Sequence, residues 1–144
     1  MTRSGTGPAN GAGMIARTLE ELQVYQKARV ASQAISAILA RSSFRAEQRL
    51  RTQLGSASER VLSAISEGFE QSTDRHFAQY CFRAKGSCRE VRSQLSVARD
   101  RKCISEEERQ RLDPLFEEIA KMLSGLIRHL KKEDRKDRGP GRWE

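Results

Sequence analysis

Three cysteines and two histidines are the side chains in this 144-residue chain best suited to nucleophilic or soft-metal chemistry. Cys81 and Cys88 stand seven residues apart, which is two helical turns or ~10 Å, too far to share one metal ion. They read instead as small hydrophobes on an apolar stripe. Cys103 neighbours Arg101 and Lys102, whose charge lowers a thiol pKa, but no base stands near it in sequence. His76 precedes Phe77, and His129 adjoins a leucine-rich stripe; both read as surface or boundary residues. The chain carries neither a glycine-rich phosphate loop nor a dinucleotide fingerprint. These residues predict a protein that is not an enzyme and that holds no metal and no cofactor.

The basic residues say more. Lys and Arg total 27 against 19 Asp and Glu, for a net charge of +8 and a pI near 9.9. The excess lies in Leu22–Ser42, Gln71–Asp100 and Lys131–Glu144, so it is not confined to one terminus. Such a balance favours an anionic partner, nucleic acid first. Lys85, Arg89 and Arg92 recur at i, i+4, i+7, with Phe82 on the same outer side. A basic row beside an exposed aromatic grips phosphates and stacks a base; a neighbouring subunit can also cover Phe82, and the subunit contact is the reading preferred at this point. Arg128, Lys132 and Arg135 form a second row with Lys121, which Glu117 partly neutralises at i, i+4. The six cations Lys85, Arg89, Arg92, Arg128, Lys132 and Arg135 are the predicted RNA- or DNA-binding residues. Leu115 and Met122 widen the apolar face of their helix beyond its seam, a sign of self-association. With Phe82 they are the predicted oligomer interface.

The elements that must carry these rows are helices. Val24, Ala28, Ala31, Ile35 and Ile38 step by three and four, which returns to one helical face. So do Leu50, Leu54, Ala57, Val61 and Ala64. The step holds from Phe77 through Cys81, Ala84, Cys88, Val91 and Leu95 to Ala98. It holds again from Leu112 through Phe116, Ile119, Leu123 and Leu126 to Leu130. Breaks fall at Arg41–Phe44, Glu70–Thr73 and Lys102–Ile104. Thr73 suits an N-cap, and Ser105 with Glu108 reads as a capping box. Short connections predict antiparallel neighbours and an all-α, up-down-up-down four-helix bundle. Gly68 and Gly86 fall inside helices, where each costs up to ~1 kcal/mol against Ala; close helix approach is the expected return at both. The bundle is predicted over residues 19–132. A glycine-rich tail at 1–18 and a charged tail at 133–144 flank it, flexible or helical only where they continue a neighbour. No apolar run reaches membrane-spanning length, and Met1–Gly13 lacks the apolar core of a secretory signal. With an odd cysteine count, the expectation is a reduced, cytoplasmic protein.

Several of these segments resemble a known family, the 23S rRNA intervening-sequence or four helix bundle proteins. Val24-Tyr25-Gln26-Lys27-Ala28 resembles its first-helix motif. Ile65-Ser66-Glu67-Gly68-Phe69 resembles its Asn-Ile-Ala-Glu-Gly-Tyr segment. Phe77 to Tyr80, then Ala84-Lys85-Gly86-Ser87 with Glu90 and Gln94-Leu95, resembles its Ala-x-Gly-Ser-x-x-Glu signature. Ile104-Ser105 and Lys121 to Ile127 resemble its last helix. Ala64 and Ser66 stand where the family usually has Asn and Ala, and Arg101-Lys102-Cys103 where it has Gly-Tyr. The resemblance implies an antiparallel bundle that assembles into a ring-like, often pentameric, homo-oligomer. It also implies a link to the accessory variability determinant of diversity-generating retroelements, which binds nucleic acid and assists a reverse transcriptase. The expectation is a non-enzymatic, oligomeric bundle binding structured RNA, with a protein-interaction scaffold as the competing class.

Overall fold

The computed structural model describes residues 16–138; the expected tails at 1–15 and 139–144 lie outside them. Four helices follow in order: α1 Gln23–Leu39, α2 Gln48–Phe69, α3 Asp74–Asp100 and α4 Glu106–Arg138. Single 3-10 turns at Leu19–Glu21 and Ser42–Phe44 precede α1 and α2, and no strand occurs among the described residues. α4 continues six residues beyond the boundary expected at Lys132. No helix among the described residues is long and apolar enough to cross a membrane.

The stripes meet in one core. Every apolar position expected on α1, α3 and the Leu112–Leu130 stripe of α4 is buried. On α2 the stripe passes through Ile65 and Phe69 rather than Ala64, which is half-buried. Phe44, in a stretch read only as a break, is fully buried and closes one end of the core. Removing a side chain of this size from water stabilises by roughly 1.5–3 kcal/mol. α1 packs on α2 and α4, and α3 packs on the same two, so α1 and α3 face each other across the diagonal. Cross-helix contacts run in opposite numerical order. Gln53 meets Gln94 and Arg60 meets Glu90 between α2 and α3; Arg92 meets Asp113 and Arg99 meets Glu106 between α3 and α4.

The helix ends explain why the elements begin and stop where they do. Thr73 Oγ1 accepts from the His76 amide at 3.2 Å, capping α3. At α4 the box closes both ways: Ser105 Oγ accepts from the Glu108 amide at 3.1 Å, and Glu108 Oε1 accepts from the Ser105 amide at 3.0 Å. α3 ends in a left-handed turn. The Cys103 amide donates to the Ala98 carbonyl at 2.8 Å and the Lys102 amide to the Arg99 carbonyl at 3.0 Å. This two-bond pattern requires a left-handed residue, usually glycine; here Lys102 occupies it with φ 63°.

Gly68 and Gly86 differ. A Cβ on Gly68 would lie 2.7 Å from Tyr80 Cβ and 2.8 Å from Phe77 Cδ1, so α2 and α3 do approach closely there. A Cβ on Gly86 would meet nothing within 4 Å. The close approach expected at Gly86 is therefore absent within the chain, because that residue points outward from α3.

Candidate nucleic-acid interface

The second half of α4 carries the clearest basic surface. Arg128, Lys132 and Arg135 are all exposed on one helical face. None of the three forms an ion pair among the described residues. The Arg128 guanidinium lies back over Gly125, with Nη2 3.7 Å from where a Cβ would stand. Lys131 and Lys136 join the three in lining a shallow cleft, and Lys136 pairs with Glu133 at 3.4 Å. Arg135, in the last turn of α4, also lies where the negative end of the helix dipole favours a cation.

On α3 the expected row is split by its partners. Arg92 forks onto Asp113 of α4, Nε to Oδ1 at 2.9 Å and Nη2 to Oδ2 at 3.2 Å. That hydrogen-bonded pair holds the Arg92 pKa above its ordinary value. A guanidinium committed to a carboxylate on both nitrogens offers little to a phosphate. Arg92 thus serves the α3–α4 seam, whereas Arg89 is exposed and Lys85 half-buried. Lys85 Nζ sits 5.4 Å from the centre of the Phe82 ring. Arg83, which the spacing argument passed over, is exposed beside them, its guanidinium 4.6 Å from the Tyr80 ring centre.

Elsewhere much of the positive charge is matched. Arg41 pairs with Glu108, Arg101 with Glu47 at 2.8 Å, Lys27 with Glu118 at 3.4 Å, and Lys121 with Glu117 at 3.9 Å. Glu106 gathers Arg109, Arg99 and Gln110, which together hold its carboxyl well below the usual carboxylate range. Lys121–Glu117 is legible from its i, i+4 spacing, but periodicity could not find Arg41–Glu108, Arg101–Glu47 or Lys27–Glu118, whose partners lie far apart in the chain.

The expected oligomer residues lie on two sides of the bundle. Leu115 and Met122 pack partly against the core and line a groove between α1 and α4, with Val30 exposed beside them. Phe82, 61% exposed, stands on the outer face of α3.

All three thiols are buried, and His76 sits at a helix cap. Burial pushes the Cys81 and Cys88 thiols up to about 12. Burial also raises Cys103, outweighing the lowering expected from Arg101. His76 Nδ1 lies 2.8 Å from Thr73 Oγ1, so the ring belongs to the α3 cap. His129 is half-buried, and its Nε2 has no hydrogen-bond partner among the described residues. No three His, Cys, Asp or Glu side chains converge on a metal position among the described residues.

Comparison with known proteins gives one family. The model described as 23S rRNA-intervening sequence protein matches residues 20–125, most of the chain and all but the end of the bundle. No curated protein and no solved structure matches it.

Proposed function

We propose a nucleic-acid-binding role for this chain, which belongs to the 23S rRNA-intervening sequence protein family. In this reading it is a non-enzymatic, antiparallel bundle that holds structured RNA, or RNA and DNA alike, on a basic surface. The observation that carries the proposal is the row Arg128, Lys132 and Arg135: three exposed cations on one face, with no acid among the described residues paired to them. Consecutive members are separated by ~6 and ~4.5 Å along the helix axis, and long flexible side chains extend their reach to successive phosphates. Lys85 and Arg89 of α3 add to the surface; Arg92 does not.

Assembly strengthens the effect. A ring of identical subunits, five by the resemblance, repeats each row and turns a local charge into a continuous band. The apolar groove of Val30, Leu115 and Met122 is the contact proposed for it. That same groove supports the second reading, a protein-interaction scaffold with no nucleic-acid role. The setting proposed for the first is an accessory to a reverse transcriptase.

The test is an anisotropy titration of a labelled RNA hairpin at two salt concentrations. Binding by such a row follows counterion release, with a log–log slope of about 0.7–0.9 per phosphate neutralised. The triple variant Arg128→Gln, Lys132→Gln, Arg135→Gln is expected to flatten that slope by roughly two to three. A parent protein that binds no RNA at low salt hands the case to the scaffold. A triple variant that binds as tightly as the parent refutes this row as the contact.

A further inference from the structure

The outer face of α3 poses a question that charge alone does not answer. Positions 79, 82, 86, 89 and 93 step by three and four and are all exposed. They are Gln79, Phe82, Gly86, Arg89 and Ser93, with no acid among them. Between its terminal aspartates, α3 holds a single acid, Glu90, and that one is paired with Arg60 of α2. The Phe82 ring, left 61% exposed, stands on this face with Lys85 Nζ beside it, and the exposed Arg83 and Arg89 lie on the same helix.

Gly86 sharpens the picture. It lies one turn after Phe82, and a helical side chain covers the surface over the turn N-terminal to its own Cα. Any side chain at 86 would lie toward the Phe82 ring. Gly86 has open space where its Cβ would be, so it costs helix propensity without any packing return inside the chain. The Phe82 ring itself is 61% exposed, with Lys85 Nζ 5.4 Å from its centre.

The geometry points to a stacking site for an unpaired nucleobase: Phe82 takes the base, Gly86 keeps the ring clear, and Arg83, Lys85 and Arg89 hold the flanking phosphates. The occupant is a single-stranded stretch of nucleic acid. Duplex bases are already stacked on one another, whereas unpaired bases are free to stack on an aromatic side chain. A symmetric contact between two copies through this face would bring two sets of three cations together around the rings, which like-charge repulsion opposes. The inference rests on the nucleic-acid reading above and specifies the kind of strand.

The experiment uses the full chain and three probes of equal length: oligo(dT), an abasic strand, and a blunt duplex. The parent is expected to bind oligo(dT) more tightly than the abasic strand, which carries the phosphates without the bases. Phe82→Ala is expected to lose about tenfold or more on oligo(dT) and to bind the abasic strand and the duplex unchanged. Phe82→Trp retains the preference. Gly86→Leu, which covers the ring without removing it, loses it. Equal affinity of Phe82→Ala and the parent for oligo(dT) overturns the inference and leaves the α4 row standing. A change in sedimentation mass of Phe82→Ala overturns it in favour of a contact between copies. A parent that binds none of these probes overturns this inference, and the RNA-hairpin titration above then decides the nucleic-acid reading separately.

Discussion

Adding one methyl group at Gly68 should loosen the α2–α3 seam. The new Cβ would stand 2.7 Å from Tyr80 Cβ and 2.8 Å from Phe77 Cδ1, against a favourable carbon–carbon separation of ~3.5–4.0 Å. Roughly 1 Å of displacement is therefore required. Neither neighbour yields readily. Tyr80 Cβ is fixed to the α3 backbone, and Phe77 is fully buried with its ring edge-on to Phe69, centroids 6.0 Å apart at 89°. Overpacking of this kind costs about 1–3 kcal/mol, and the gain in helix propensity from Gly to Ala returns up to ~1 kcal/mol. The expected net loss for Gly68→Ala is up to about 2 kcal/mol. Gly86→Ala makes the same chemical change in open space and should stabilise by up to ~1 kcal/mol. Urea unfolding of both variants, with the m-value checked for constancy, reads the contrast directly. A Gly68→Ala protein as stable as Gly86→Ala would refute the close-approach argument. A Gly86→Ala protein less stable than the parent would show that the outer face of α3 is covered in solution.

Lys102→Gly should stabilise by about 1 kcal/mol, because a non-glycine residue in the left-handed region costs ~1–2 kcal/mol and glycine's added chain entropy offsets only part of it. A melting temperature that fails to rise would show that the Lys102 side chain compensates for its backbone. The buried thiols make stability fall in alkali. Between pH 9, the ordinary thiol value, and about 12, where Cys81 and Cys88 titrate in the fold, the unfolded chain releases protons that the native chain keeps. Each thiol then lowers stability by about 1.4 kcal/mol per pH unit as pH rises, and contributes nothing below pH 9. The urea midpoint of Cys81→Ala/Cys88→Ala should therefore drop less than the parent's between pH 8 and pH 10, and equal drops would contradict the assignment.

Secondary structure and core membership were legible in the chain before any coordinates. Helical steps of three and four identify which residues of α1, α3 and α4 are buried, because burying a side chain depends first on which face of its own helix it occupies. Caps were legible for the same reason: Thr73, and Ser105 with Glu108, act within one turn. On α2 a strict heptad points to Ala64, whereas Ile65 and Phe69 complete the buried stripe, because seven residues turn a straight helix about 700°, ~20° short of two turns, so a heptad row slides off the buried face.

The candidate site was only half legible. Spacing collects Lys85, Arg89 and Arg92 into one row, yet Arg92 belongs to Asp113, twenty-one residues away on the next helix. The same holds for the glycines. Gly68 and Gly86 look alike along the chain, but Phe77 and Tyr80 crowd the one and nothing crowds the other. The sequence by itself determined the helices, their caps, their buried stripes and the overall positive charge, because each of these depends on residues within a turn or two of one another or on composition alone. Only the tertiary structure decided which cations remain free, which glycine is packed and which side of the bundle bears Phe82. Those depend on which helices lie side by side, and contact energies fall off over a few ångströms of space, whatever the separation along the chain.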